Sequence, residues 1–289
     1  MKDISLIIPH RNCPDLLQRC LDSIPVQDNV EVIIVDDWSD PQIVNINNFP
    51  GKERPDVRVV LSEKSGGAGA ARNIGIKESC GRWLLFADAD DVFAPDAFCI
   101  LNSHVDDDDT DFIFFNVRSI YAESGAVAKT FATAYSKYIC QYDKKPKERI
   151  INILKYNHDA PWGKMIKKQL VDCHGIRFDE QPVCNDTMFS KRVSVHAHKV
   201  TVDSRVVYDY LQNGNNSLIK LNTEASWYTR YSTFLRSIRY LRRNNAPYYV
   251  FLTKHYIVGL MLYIRQSWRF GIKCSLKALK MIFEDEEMS

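Results

Sequence analysis

The chain has 289 residues, 45% hydrophobic and 26% charged, with a formal net charge of +2. Such a composition excludes a disordered or low-complexity protein and leaves one large α/β domain with an extension, or two small domains. No apolar run reaches membrane-spanning length and no secretory leader opens the sequence; eight cysteines without a C-x-x-C pair predict reduced thiols and a cytoplasmic protein.

The first predicted element is a strand at Ile4-Ser5-Leu6-Ile7-Ile8, closed by Pro9. Pro14-Asp15 then opens an amphipathic helix whose apolar side carries Leu16, Leu17, Cys20, Leu21 and Ile24. Val30 to Val35 reads as a second buried strand ending in Asp36-Asp37, and Val57 to Leu61 as a third. A glycine-led helix spans Gly66 to Ser79, and Trp83 to Ala87 gives a fourth strand running into Asp88-Ala89-Asp90-Asp91. Strands that are apolar throughout and alternate with helices predict a mostly parallel sheet covered on both faces. Ligands of such sheets bind beyond the carboxyl ends of the strands, which puts Pro9-His10-Arg11-Asn12, Asp36-Asp37 and Asp88 to Asp91 on one rim.

Asp111 to Val117 is a fifth strand, after which the pattern changes. Shorter strands are expected around Val127–Thr133, Trp162–Ile166 and Arg205–Leu211, with helices near Lys147–Tyr156 and Asp186–Val195. From Asn222 the chain reads as helical, with Trp227, Tyr231, Phe234, Ile238 and Leu241 forming one stripe. Asn244 to Pro247 breaks it; a further aromatic-rich helix runs to about Trp268 and a short one carries Ile272 to Phe283. The expected organisation is a catalytic unit over 1–217, divided into halves at 1–118 and 119–217, followed by a helical extension over 218–289. From Leu218 to Phe283 twelve Lys/Arg face a single acid, Glu224, so the extension is basic and the catalytic unit acidic. Docking on an anionic membrane surface and packing against the catalytic unit or a second subunit are both open readings of it.

The chemistry concentrates in a few places. Asp88, Asp90 and Asp91 repel one another unless a cation is present, and a hard divalent ion with oxygen ligands, Mg²⁺ or Mn²⁺, relieves that penalty; a solvated acidic turn is the plainer reading. Asp37, at the end of a buried strand, can accept a hydrogen bond from the N–H of a nucleobase, or can cap a helix led by Asp40-Pro41. The run Ser65 to Asn73 fails the dinucleotide register, because Arg72 falls where a third glycine would stand. Arg72 is then a fixed cation for a phosphate or base edge, or a surface arginine beside a tightly packed helix. Asp186 is either a general base or a helix N-cap. His10, His158, His174, His196, His198 and His255 show no metal spacing, and His196 and His198 read as surface residues on a strand-like run.

Together these features resemble the family 2 glycosyltransferases with the GT-A fold, a mixed α/β sheet flanked by helices. Ile7-Ile8-Pro9-His10-Arg11-Asn12 stands at the family's I-P-x-Y-N, and Val35 to Asp40 at V-D-D-G-S-x-D. Ala71-Arg72-Asn73-Ile74-Gly75 matches A-R-N-x-G, and Phe86 to Asp91 matches F-x-D-x-D-D. Ala160-Pro161-Trp162-Gly163-Lys164 resembles A-x-W-x-K, and Asn185-Asp186 lies where E-D is usual. The resemblance covers about residues 3–217. It implies an inverting enzyme that moves a sugar from a nucleotide-diphosphate donor, a UDP-sugar in first place, to a hydroxyl of a glycan or polyprenyl-linked acceptor in bacterial surface-polysaccharide synthesis. By position, Pro9, Arg11, Asp37, Arg72, Asp88 and Ala89 would line the nucleotide, Asp37 holding the pyrimidine and Asp88 the ribose. Asp90 would hold Mn²⁺ or Mg²⁺ and Asp186 would deprotonate the acceptor, while Asp91 would fix the loop. The implied setting is cytoplasmic or peripheral on the inner membrane face, without a nucleic-acid partner. Three departures stand out: Arg11 for the usual aromatic, Trp38 for the usual glycine, and Asn185 for the usual Glu. A nucleotidyltransferase and a non-catalytic glycan-assembly module are the competing classes.

Overall fold

A computed structural model describes residues 2–212 and 223–247, together with the single position 276. The sequence-predicted helices between 248 and 283, apart from that position, lie outside the described residues.

Strand β1 (Ile4–His10), helix α1 (Pro14–Asp22), β2 (Val30–Asp36), β3 (Val57–Leu61), α2 (Gly67–Glu78) and β4 (Trp83–Phe86) form the first half, with boundaries close to those expected. β1, β2 and β4 are apolar along nearly their whole length because both faces are covered: Ile4, Leu6 and Ile8 point to one core layer, Ile7, Ile33 and Phe86 to the other. The second half adds β5 (Val92–Phe93), α3 (Ala97–Asn102), β6 (Phe112–Tyr121), α4 (Phe131–Lys144), α5 (Glu148–Asn157), β7 (Lys164–Lys167), α6 (Lys168–Cys173), α7 (Thr187–His196) and β8 (Val200–Gln212). Both halves share one eight-stranded sheet of order β3-β2-β1-β4-β7-β6-β8-β5 among the described residues. The β3-β2-β1-β4 part is parallel, β7 is antiparallel to both neighbours, and β6 runs parallel to β8. The expected mixed α/β sheet is therefore present.

Two local expectations are corrected. Val127–Thr133 is not a strand: Val127 makes one isolated bridge to Ile120, and α4 begins directly after Thr130. Thr130 and Thr133 form a capping box, each side chain accepting from the other's backbone N–H, so the threonines that suggest β structure serve the helix start instead. Asp40-Pro41 leads a turn and a short 3₁₀ segment at Ile46–Asn48 rather than a helix.

Helix α8 (Glu224–Arg243) lays its apolar stripe on the catalytic unit. Ile238 and Leu241 pack with Tyr156, and Phe234 and Val195 border the cluster. Polar ties accompany it: Arg236 pairs with Asp179, and Gln181 donates to the Thr233 hydroxyl at 2.9 Å. No helix among the described residues is long and apolar enough to cross a membrane. The seven cysteines among them are free thiols.

Helix α2 lies closely on the sheet because its inner face is small. A Cβ on Gly75 would stand 2.3 Å from Cγ2 of the fully buried Ile7. Gly75→Ala should therefore destabilise the protein by about 1–3 kcal/mol through overpacking, read as a lowered urea midpoint with an unchanged m-value.

Candidate active site

The carboxyl ends of β1, β2 and β4 bring the sequence-predicted residues to one rim. β1 and β2 end side by side, with Pro9 opposite Val35 and His10 opposite Asp36. His10 and Asp36 form a buried pair, Nδ1 to Oδ1 at 2.7 Å, and Asp36 also accepts from the backbone and hydroxyl of Ser39. Burial disfavours a charged imidazole, but hydrogen bonding to Asp36 and the Cys13 thiol outweighs it and carries His10 up to about 9. This pair went unnoticed in sequence, where His10 carried no metal spacing and Asp36 stood in the shadow of Asp37.

Asp37 is buried and faces the start of α2. Its carboxylate accepts from the N–H of Gly66 at 2.6 Å, the N–H of Gly67 at 3.0 Å and the Ser65 hydroxyl at 3.1 Å. It thus does cap a helix, though α2 rather than the one expected after Asp40. Arg11 leans over the same carboxylate at 3.8 Å and donates to Ser65 at 2.6 Å.

One and a half turns further along α2, Arg72 is 5% exposed, so the surface reading of this arginine does not hold. Nη2 donates to Asp88 at 2.6 Å, Nη1 to Asn185 Oδ1 at 2.9 Å, and the guanidinium lies over the Phe178 ring. The loop that carries Asn185 and Asp186 is thereby tied to the acidic end of β4, across more than a hundred residues of sequence.

Asp88, Asp90 and Asp91 bring their oxygens within 4.8 Å of one another. Their environments differ. Asp91 is fully buried and spends both oxygens on β8, accepting from the Tyr208 hydroxyl at 2.8 Å and the Leu211 N–H at 2.7 Å. Burial, then the charges of Asp90 and Asp88, push it well above the usual carboxylate range. Asp88 is half-exposed and carries the Arg72 ion pair. Asp90 is exposed, and no hydrogen bond from another residue's side chain engages its carboxylate among the described residues. Desolvation of that carboxylate, with the Asp88 charge, raises it to about 6. Ala89 is buried between them. An all-carboxylate oxygen set of this kind fits a hard divalent cation, which would neutralise the repulsion that Arg72 and Arg19 offset only in part.

Asp186 occupies the N-cap position of α7, yet its side chain makes no capping hydrogen bond. Burial, then the charge of Asp159, raises its carboxyl to about 6, with Arg72 pulling the other way. Beneath it lie two buried lysines. Lys191 donates to Tyr156 carbonyl at 2.8 Å and pairs with Asp159, and Lys164 donates to the His158 carbonyl at 2.6 Å. Burial lowers Lys164 to about 7 against the opposing pull of Asp159. His196 and His198 are not on a strand: His196 ends α7, stacked on His174 at 3.9 Å.

Sequence alone did not reveal Tyr208. Its hydroxyl accepts from the Asp88 N–H at 2.9 Å while donating to Asp91, so one buried phenol pins both ends of the acidic loop. Only its place on an apolar strand-like run was visible.

The family model for glycosyl transferase family 2 matches residues 5–173, more than half of the chain, and the chain belongs to that family. The EpsH protein of Bacillus subtilis (strain 168) is 28% identical over 214 residues, 72% of this chain and 60% of its own length. The glycosyltransferase GlyG of Streptococcus pneumoniae is 27% identical over 236 residues, covering 78% of this chain and 75% of GlyG. Among solved structures, residues 1–349 of TarS from S. aureus in complex with UDP-GlcNAc align with a TM-score of 0.63 at 22% identity, over 82% of this chain and 66% of that one. The mannosyltransferase PcManGT of Pyrobaculum calidifontis, in complex with GDP-Man and Mn²⁺, aligns with a TM-score of 0.56 at 14% identity, over 99% of this chain and 76% of the other. The fold is accordingly GT-A, and the chain spans three fifths of EpsH.

Tyr208→Phe would leave the Asp88 N–H and Asp91 Oδ2 without partners in a buried place. It should cost about 1–3 kcal/mol in urea denaturation, and the loosened loop should hold Mn²⁺ more weakly in a melting-temperature titration.

Proposed function

We propose that this glycosyltransferase moves a sugar, with inversion, from a nucleotide-diphosphate donor to a hydroxyl of a bacterial surface glycan or its lipid-linked precursor. The observation that supports the reading most is the Arg72 bridge, which joins Asp88 at the end of β4 to Asn185, the chain neighbour of Asp186, in the other half. Asp37 retains acceptor capacity beyond its three bonds to the start of α2 and can take a base N–H; Asp88 can take the ribose hydroxyls beside Arg72. Asp90, with its oxygens open, is the residue that would hold Mn²⁺ or Mg²⁺ with Asp88 beside it. The cation would supply charge stabilisation for the departing diphosphate. Asp186, uncommitted to capping, takes the proton of the acceptor hydroxyl as it attacks the anomeric carbon from the side opposite the leaving group. A single displacement of that kind inverts the anomeric centre. UDP is the first-choice nucleotide. TarS, of the same fold, was solved with UDP-GlcNAc, and the poly(ribitol-phosphate) beta-glucosyltransferase of Bacillus spizizenii, 28% identical over 214 residues, 72% of this chain and 32% of that enzyme, supports a surface-glycan setting.

A thermal-shift panel of UDP, GDP, dTDP and CMP with and without Mn²⁺ tests the donor reading. UDP with Mn²⁺ should raise the melting temperature most; a flat response to every nucleotide would overturn it. Release of pyrophosphate instead of UDP would point to nucleotidyl transfer.

Asp186→Asn should lower transfer by at least about a hundredfold while leaving UDP affinity within a few-fold, measured by coupled UDP release and calorimetry. The pH profile follows from the same residue. A base whose pKa is raised to about 6 is active above that value, so kcat/KM should fall about tenfold per pH unit below it. Stability runs in the other sense: the folded protein holds the Asp186 proton up to about pH 6, so this carboxyl's contribution is lost as pH rises from about 4 to about 6.

A further inference from the structure

We infer that Trp38 is a nucleobase-stacking residue of this chain, standing in for the aromatic that position 11 lacks; the inference rests on the nucleotide-donor reading above. Two departures from the family pattern flank the same carboxylate. Arg11 replaces the aromatic of I-P-x-Y-N on the loop after β1, and Trp38 replaces the glycine of V-D-D-G-S on the loop after β2. Between them stands Asp37, within 3.8 Å of Arg11 and directly preceding Trp38 in the chain. Each change alone would be a loss. Together they move one aromatic residue from the loop after β1 to the loop after β2.

The backbone shows that this ring is held at a cost. Trp38 has φ of +58°, the left-handed region that glycine occupies freely and a bulky side chain does not. The turn is fixed from every side. The Asp37 N–H donates to His10 carbonyl at 2.8 Å, and the Ser39 N–H to Asp36 at 3.0 Å. The Asn12 N–H donates to the Ser39 hydroxyl at 2.9 Å and the Asp40 N–H to Asn12 Oδ1 at 2.7 Å. A buried His10–Asp36 pair anchors this lattice to the ends of β1 and β2.

What the lattice presents is an indole 57% exposed, engaged among the described residues by no hydrogen bond, ion pair or ring contact. A structural tryptophan would be buried, as Trp83 and Trp162 are at 0% and 2%. Strain and exposure both run against stability, and neither is offset by packing. An exposed indole on the residue that follows a carboxylate acceptor, with a half-exposed guanidinium at that carboxylate, supplies the groups a nucleobase requires: a π surface, a partner for its ring N–H and a cation for its edge or face. The stacking would act on the base and leave the diphosphate untouched.

Calorimetric titration of the full-length protein with UDP and with GDP in Mn²⁺, the tighter being carried forward, tests this against Trp38→Gly and Trp38→Phe. Trp38→Gly should weaken the nucleotide about tenfold, the scale of one base–aromatic stack, and Trp38→Phe should stay within about threefold. Manganese pyrophosphate, which has no base, should bind all three proteins alike. The glycine variant should also melt about 2–4 °C higher as the left-handed strain is relieved, so that affinity and stability move in opposite directions. Nucleotide binding by Trp38→Gly equal to that of the unaltered protein would overturn the inference, as would equal losses for nucleotide and pyrophosphate. Absence of nucleotide binding by the unaltered protein would instead remove the donor reading, and this inference with it.

Discussion

The cleft depends on one buried guanidinium. Arg72 leaves water almost entirely and offsets much of its lost hydration through an ion pair to Asp88, a bond to the neutral amide of Asn185 and the face of Phe178, while its Nε stays buried without a partner among the described residues. Breaking such a pair from either side leaves an uncompensated buried charge, which is why the arrangement tolerates little change. Asn185 matters to this balance. A glutamate there would place a second anion on Arg72 and a further negative charge next to Asp186, raising that carboxyl beyond about 6. With an amide instead, the arginine's ion pair is with Asp88, its charge still holds Asp186 down in part, and Asp186 remains the only acid of its pair.

Around that point the acids are sorted by environment rather than by sequence position. Asp91 is consumed by Tyr208 and Leu211, Asp88 by Arg72, and Asp37 by the start of α2. Asp90 and Asp186 are left with carboxylates uncommitted to the fold, and both are raised to about 6. Arg19 near Asp90 and Arg72 near Asp186 offset these charges only in part, so a protein that keeps two such groups without hydrogen bonds from other described residues gives up stability there. That concession is intelligible where a cation and a proton are to be handled.

Much of this was legible because the first half of the chain states its structure locally. Strands buried on both faces read as unbroken apolar runs, and the rule for ligands at carboxyl ends gathers Asp37, Asp88 and Asp90 from the sequence alone. The second half was less legible. The Val127–Thr133 segment has the composition of a strand, but a capping box between Thr130 and Thr133 decides for α4, and such reciprocal bonds are weak signals beside β-branched side chains. β5 is two residues long and exists only because Val92 and Phe93 meet Asp209 and Tyr208. Tyr208 itself acquires its role from a pairing register, which no single segment encodes. Arg72 was visible as a cation, but its burial follows from Phe178 and Asn185 arriving from another part of the chain.

Helix α8 extends the same logic to the extension. Asp179, which opens the loop leading to Asp186, is paired by Arg192 of α7 and Arg236 of α8, while its N–H donates to Asn185 carbonyl at 3.0 Å. On the other side of the loop, Asp179 carbonyl sits where a Cβ on Gly69 would fall, 2.2 Å away, so α2 abuts it directly. Gln181 bonds both the Cys184 carbonyl and Thr233 of α8. The segment carrying Asn185 and Asp186 is thus gripped by three helices, two of them, α7 and α8, outside the family match that ends at residue 173. The apolar stripe of α8 packs beside this grip, on Tyr156 of α5 and Val195 of α7. For the part of the basic extension that is described, the apolar face packs on helices α5 and α7, and one of its arginines, Arg236, neutralises Asp179 on the loop that carries Asn185 and Asp186.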